Sequence, residues 1–244
     1  MSLPELVTIH TSLITDLGDA IRERFGVSGD KTLTELKGIV LTGLPAAYQQ
    51  VDYIEASGSQ YIDMPYKIDL THRFVVDFQY TATTSGDTTM FNGAASSADS
   101  TPYNSTGFWG LRNSDGKFIS QWARCELNDN AIAGDADTNR HTWDLASGSQ
   151  KFDGVEYHQS VMKQGYASTN NYRLFAWNPS WYTTNRCCIM RLFSFKAYKN
   201  GNLINHLIPC YRKADSVIGL YDITQGVFYT NAGSGSFTCY PSPT

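Results

Sequence analysis

From Arg191 to Phe237 the chain alternates strand-forming runs with turn-forming dipeptides almost without a break. Asn200-Gly201 is the strongest of the turn signals, because both residues tolerate the positive φ that a two-residue hairpin turn needs. It joins a strand predicted over Cys187 to Tyr198 to another over Leu203 to Ile208. Gly219 to Ile223 and Val227 to Thr230 flank Gln225-Gly226 and predict a last hairpin. Such a segment has no helical reading. It confines the chain to antiparallel β architecture, and it holds few acid or base groups, as suits a surface-presenting scaffold.

The same pattern begins at Tyr48 and recurs about every ten residues, the spacing of a sandwich or barrel. Phe74, Val76, Phe78 and Tyr80 alternate with Arg73, Val75, Asp77 and Gln79, which predicts a half-buried strand. Phe108–Leu111 and Lys117–Ala123 flank Asn113-Ser-Asp-Gly116 as a hairpin. His141–Leu145, Gln150–Phe152 and Val155–Tyr157 make a meander through Ser147-Gly148 and Asp153-Gly154. Tyr172 to Trp177 predicts a further strand, and no helix is predicted after Ile39. Asn92 to Ser105 reads as a long exposed loop. The tetrapeptide Ser-Gly-Ser-Gln occurs at 57–60 and again at 147–150.

Residues 1–44 follow a different rule. Leu6, Leu13, Leu17, Ile21 and Phe25 recur at near-helical spacing among charged residues, and Gly26 ends the run. Thr32-Leu-Thr-Glu35 is a capping box that opens a second helix carrying Leu33, Leu36 and Val40. A pair this small cannot bury its own apolar stripe. The stripe must meet the β-domain, copies of itself or a larger assembly. The boundary is drawn between 1–44 and 45–244.

Composition removes several functions. Net charge is −4 and no Lys/Arg run occurs, so the electrostatic footprint of a nucleic-acid binder is absent. Arg22, Arg24, Lys31 and Lys37 are offset by Glu5, Asp16, Asp19, Glu23, Asp30 and Glu35, which argues against a DNA-reading helical pair. No apolar run reaches the roughly 20 residues that cross a bilayer, and the first residues lack the make-up of a signal peptide. Charged residues are only 17% of the chain against 13% aromatic, a balance suited to uncharged ligands such as glycans. The five cysteines, at 125, 187, 188, 210 and 239, show no metal spacing and read as core-filling free thiols.

Three segments carry a family resemblance. Leu44 to Asp63 (LPAAYQQVDYIEASGSQYID) resembles the opening of a concanavalin-A-like, laminin-G-like jelly roll of the kind encoded by phages and prophages of gut bacteria. His141-Thr-Trp-Asp144 followed by Lys151-Phe-Asp-Gly-Val155 resembles its mid-domain meander, and Ser194 to Phe237 its closing strands. Leu17 to Leu36 is similar to short helical units that precede phage tail-fibre domains. The expected fold is therefore mainly β: an antiparallel jelly-roll sandwich preceded by a small N-terminal α-helical unit. The resemblance implies a virion appendage that assembles with itself as a trimer, attaches to other virion proteins through residues 1–44, and binds a host-surface glycan or protein. A purely structural virion component is the competing expectation.

Enzyme chemistry finds little footing. Glu55, Glu126 and Glu156 are isolated from one another, whereas glycoside hydrolysis needs two converging carboxylates. Asp144 and Asp153 read as a strand end and a hairpin turn. There is no Gly-x-Ser-x-Gly elbow, and the five histidines are scattered. Asn113, Asp115, Asp129 and Asp135 are of the type that holds calcium but read as turn formers, so no catalytic residue, metal or cofactor is expected. The candidate ligand residues are aromatic and polar. Trp177-Asn178-Pro-Ser-Trp181-Tyr182 puts three large rings in one loop, and Arg112 and Arg124 flank the hairpin carrying Trp109 and Trp122. Trp109, Trp122 and Trp143 are expected in the core.

Overall fold

The computed structural model describes residues 14–20, 43–82, 88–94, 106–112, 116–124, 131–157, 167–168, 170–178 and 187–243. Residues 14–20 are helical, within the first helix expected, and leave Ile14 and Leu17 exposed. The second expected helix lies outside the described residues. No helix among the described residues is long and apolar enough to cross a membrane.

The remainder is β structure. The first strands are β1 (Tyr48–Gln50), β2 (Tyr53–Ser57), β3 (Ile62–Asp63), β4 (His72–Tyr80), β5 (Thr88–Ala94) and β6 (Thr106–Arg112). There follow β7 (Lys117–Arg124), β8 (Ala131–Asp135), β9 (Arg140–Ala146), β10 (Ser149–Phe152), β11 (Val155–Tyr157) and β12 (Arg173–Leu174). The last are β13 (Ile189–Lys199), β14 (Asn202–Arg212), β15 (Ile218–Asp222), β16 (Val227–Thr230) and β17 (Thr238–Tyr240). They form two antiparallel sheets. The larger has the order β11-β10-β9-β4-β13-β14-β15-β16, with β2 beside β13, β17 beside β2 and β1 beside β14. The smaller has the order β3-β12-β5-β6-β7-β8.

The hairpins fall where turn chemistry predicts them. Asn200 and Gly201 both have positive φ, 50° and 78°, and close the long β13–β14 pair. Gly116, Gly148, Gly154 and Gly226 also take the left-handed conformation at the predicted turns. The strand expected over Tyr172 to Trp177 is shorter than its sequence suggests. Phe175, at φ 67°, turns the chain out of the sheet after Leu174.

What joins the sheets is aromatic. β4 alternates as expected, with Phe74, Val76, Phe78 and Tyr80 buried on one face. Phe74 meets Phe91 of the smaller sheet edge-on, ring centres 5.1 Å apart at 88°. Phe78 meets Phe118 in the same way at 5.7 Å. Trp143 and Phe152 close around Phe118 from β9 and β10, at 6.1 and 5.2 Å. Trp143 is fully buried, as expected, and its indole N–H donates to Gln150 at 2.8 Å. Gln150, like Gln60 of the other Ser-Gly-Ser-Gln, is buried, but the two amides act differently: Gln60 Oε1 accepts from the Ser57 amide of its own turn, whereas Gln150 Oε1 accepts from Trp143 and from Ser120 of the smaller sheet.

A second, smaller cluster lies on the outer face of β14 and β15, where Ile208, Cys210 and Tyr221 are covered by Leu44. The ring of Tyr48 packs on Tyr221 and Phe228 at 4.7 and 4.9 Å. The sandwich thus already engages the chain at Leu44, one residue before the boundary drawn from sequence. Cys188, Cys210 and Cys239 are buried free thiols, and Cys187, on the opposite face from Cys188, is half-buried. Burial pushes the Cys210 thiol up to about 12, which makes it an inert core residue. Cys125 lies outside the described residues.

Each of the five arginines whose side chains are described is held twice, by a carboxylate at its edge and a ring at its face. Arg73 bonds Asp144 at 2.6 Å over Tyr198, Arg140 bonds Asp77 at 2.7 Å over Phe193, and Arg191 bonds Glu55 at 2.8 Å over Tyr53. Arg173 bonds Asp63 at 2.6 Å over Tyr61, and Arg212 bonds Asp215 at 2.7 Å over Phe228. Asp144 sits within β9 as the partner of Arg73, not at a strand end as its sequence context suggests. A bulge in β13 between Leu192 and Ser194 inserts Phe193 beneath the Arg140 guanidinium.

One histidine is also held twice. His141 Nδ1 lies 2.6 Å from Asp153 and Nε2 lies 2.7 Å from Asp137. Both nitrogens donate only when the ring is protonated. Burial among Phe78, Phe118 and Phe152 opposes that charge, but the bonds to Asp153 and Asp137 outweigh it and raise the pKa above the ordinary 6.5. Burial likewise opposes ionisation of the two carboxyls, and the bonds from His141 still bring both below the ordinary 3.8.

Two predictions follow from this packing. Phe118→Ala should destabilise the fold by about 3–5 kcal/mol in urea unfolding, since it empties the junction of both sheets. The His141 clamp should contribute most between about pH 4 and 6.5. Its imidazolium contribution is complete below the unfolded histidine pKa and is lost as pH rises through the raised folded value. Its carboxylate contribution is lost as pH falls through the lowered folded values. Measured against His141→Gln, the excess stability of the natural chain should shrink steadily on the alkaline side of that window. An excess that grows there would contradict the clamp.

Candidate functional site

Two loops at one end of the sandwich are tied together by hydrogen bonds that the sequence supplies locally. Asn231 Oδ1 accepts from the Tyr61 and Gly233 amides at 3.1 and 2.8 Å, and its Nδ2 donates to Gly235 O at 2.9 Å. Gln60 Nε2 and Ser59 Oγ donate to the carbonyls of Ser236 and Ser234, both at 3.1 Å. The 231–237 loop is therefore fastened along the 57–61 turn. Gly233 is required by that contact, because a Cβ there would stand 2.2 Å from Ser59 O.

Against this pair lies the turn between β14 and β15. Arg212 forks onto Asp215, whose carboxylate also accepts from Val217 N. The Arg212 bond holds the Asp215 pKa below its ordinary value although the group is exposed. Ser216 sits at φ 57°, an uncommon conformation for a residue with a side chain. Between the turn and the 230–237 loop is a cavity of about 420 Å³, lined by Asp215, Ser216, Thr230, Asn231, Ser236 and Phe237 among others. That size is within the roughly 300–1,000 Å³ of ligand sites. Hydroxyls, backbone amides of a glycine loop and the apolar side chains of Val217 and Ile218 suit a neutral, hydroxyl-bearing ligand. Among the described residues Asp215 is the one carboxylate lining the cavity, and it is already paired with Arg212.

The lining connects to the aromatic loop singled out from sequence. Phe237 packs on Phe175 at 5.0 Å, and Phe175 is buried in a left-handed conformation that sends the chain outward to Trp177 and Asn178. Trp177 is half-buried, and its carbonyl accepts from Arg173 at 3.4 Å. Asn178 uses its amide nitrogen on Asn171 O at 2.9 Å and its carbonyl on Asn170 Nδ2 at 3.1 Å, so it braces the loop. Trp181 and Tyr182 lie outside the described residues.

Arg112 and Arg124 are not brought together. Arg112 pairs with Phe118 at one end of the β6–β7 hairpin and Arg124 with Thr106 at the other. The six-residue separation is about 20 Å. Trp109 and Trp122 lie on these strands, and their side chains are not among those described. Of the candidate acids, Glu55 is bound to Arg191, and Glu156 on β11 is five strand spacings away, about 24 Å. That exceeds any two-carboxylate glycosidase geometry. Glu126, Asn113, Asp115 and Asp129 lie outside the described residues, and the Asp135 side chain is not described. No group of three His, Cys, Asp or Glu side chains among the described residues is placed to hold a metal ion.

Sequence reasoning placed recognition upstream of the closing segment and read that segment as scaffold. The cavity lies within the closing segment, between Asp215 and Phe237. The signal that marks it is Asn231-Ala-Gly-Ser-Gly-Ser236, a run of small polar residues with the composition of a backbone-exposing loop.

No protein-family model matches the chain, and no curated protein sequence does. Among solved structures it is similar to a mutant of Trypanosoma rangeli sialidase displaying trans-sialidase activity, at 9% identity and TM-score 0.38 over 57% of this chain and 21% of that one. It is also similar to a point mutant of NanB sialidase from Streptococcus pneumoniae, at 11% identity and TM-score 0.38 over 78% and 40%. The chain spans two fifths or less of the length of either. At this level the likeness says nothing about activity.

The cavity's geometry makes one local prediction. Gly233→Ala should cost about 1–3 kcal/mol, because the backbone of Ser59 has no free direction in which to move. The loss should appear in thermal unfolding and be accompanied by earlier proteolytic cleavage in the 231–237 loop. An unchanged midpoint would show that the loop is not fastened at this position.

Proposed function

We propose that this chain is an adhesion module of a phage or prophage virion appendage, a concanavalin-A-like jelly-roll sandwich that binds a neutral, hydroxyl-rich surface ligand such as a host glycan. The observation that carries this reading is the cavity lined by Ser216, Thr230 and Ser236 together with Val217, Ile218 and Phe237. Hydroxyls and backbone amides bond sugar hydroxyls, and the half-buried Val217 and Ile218 of the lining offer apolar surface to sugar C–H groups.

The layout of the sandwich supports the same reading. Gly43 lies against Ile223, just beyond one end of the β15–β16 hairpin. The cavity lies at the other end of that hairpin, beside residues 215–218 and 230–237. A chain tethered through residues 1–44 therefore presents the cavity away from its attachment. The exposed Ile14 and Leu17 support assembly of that unit with copies of itself, a trimer on this reading, or with other virion proteins. A structural role without ligand is favoured by one observation: Asn178 and Asn231 give their amides to their own loops.

The test is binding of the full chain to an array of neutral glycans and to host cells. Thr230→Arg, at the exposed end of β16, fills the cavity without touching the core. It should abolish retention while leaving the thermal midpoint within a few degrees. Retention equal to that of the natural chain would remove the cavity from the reading.

A further inference from the structure

Gly233 is one of the residues lining the cavity. On the side of Gly233 the next group is the Tyr61 ring, whose Cδ1 and Cε1 lie 2.9 and 3.0 Å from where a Cβ would stand. Arg173 lies on that ring at 3.9 Å and donates to Asp63 Oδ1 at 2.6 Å. Direct pairing of β12 with β3 sets Arg173 opposite Asp63, so the guanidinium and the carboxylate are fixed in register by the backbone. The Asp63 side chain is 49% exposed while the Arg173 side chain is only 12% exposed. Among the described residues the Asp63 bond to Arg173 is made through Oδ1, which leaves Oδ2 as an acceptor facing solvent on a rigid support. Beyond Arg173 the surface reaches the Trp177 carbonyl.

We propose that recognition continues from the cavity across Gly233 onto a shelf made by Tyr61, Arg173 and Asp63, and that the ligand is an oligosaccharide of at least two rings. This rests on the cavity being a sugar site. One ring occupies the cavity, and the next lies over the shelf with a hydroxyl donating to Asp63 Oδ2. Arg173 acts as a positioning residue. Its ring contact and its bond to Asp63 fix the carboxylate, so that little side-chain freedom is lost on binding. A carboxylate acceptor held this way disfavours an acidic sugar at the second position and favours a neutral one.

The experiment is calorimetric titration of the full chain with glucose, galactose and N-acetylglucosamine, each as monomer and as β1,4-linked dimer and tetramer. In at least one series the tetramer should bind at least about tenfold more tightly than the monomer. In Asp63→Asn, which keeps shape and a carbonyl but removes the charge, that ratio should fall toward one. Tyr61→Ala should lower the ratio too, with folding checked by its thermal midpoint. Equal affinity for monomer and tetramer, or a ratio unaltered in Asp63→Asn, overturns the shelf and leaves the cavity standing. Binding of none of the nine sugars overturns both.

Discussion

The edge-to-face meeting of Phe74 with Phe91 and of Phe78 with Phe118 is the contact on which the remaining architecture depends. Each sheet alone would expose a full apolar face, and neither could persist in water. Rings meeting at right angles place the positive edge of one on the negative face of the other, which aliphatic packing cannot do. The loops at the ends of the strands are thereby held at fixed separation. A cavity made of loops can keep its shape only if the strands beneath it do not slide.

On the outer faces the problem is reversed. Strand alternation sends Tyr53, Phe193 and Tyr198 into solvent, and a chain with few charges has little with which to cover them. The answer is to use the same guanidinium twice. Each described arginine covers a ring with its face and satisfies its donors on a carboxylate with its edge. Arginine alone suits this, since lysine has neither the plane nor the fork.

How much of this was legible beforehand follows from the range of the interactions. Strands and turns were legible because they are local: alternation at Phe74–Tyr80 and the positive φ demanded at Asn200-Gly201 are both written within a few residues. Trp143 could be assigned to the core because its strand pattern dictates its face. What could not be read is what long-range register brings together. Arg173 meets Asp63 across 110 residues of sequence, and Asn231 reaches Tyr61 across 170. Arg112 and Arg124 are twelve residues apart in sequence, yet a hairpin sends them to opposite ends. Phe175 misled for a different reason. Its run looks like a strand, and only the surrounding core, with its amide bonded to Met90 and its carbonyl to Cys188, holds it in a conformation that phenylalanine disfavours.

That last residue ties the fold to the site. A bulky residue at positive φ costs on the order of 1–3 kcal/mol and persists only where neighbours over-determine it. Phe175 is over-determined: its ring is buried against Phe237 and both its backbone groups are bonded. Relaxing it to an extended conformation would continue β12, carry Trp177 along the sheet and withdraw the ring on which Phe237 rests. The strain is therefore offset by the same contact that supports the cavity. The closing strand, the aromatic loop and the lining of the site form one mechanical unit, although they lie some sixty residues apart in the chain.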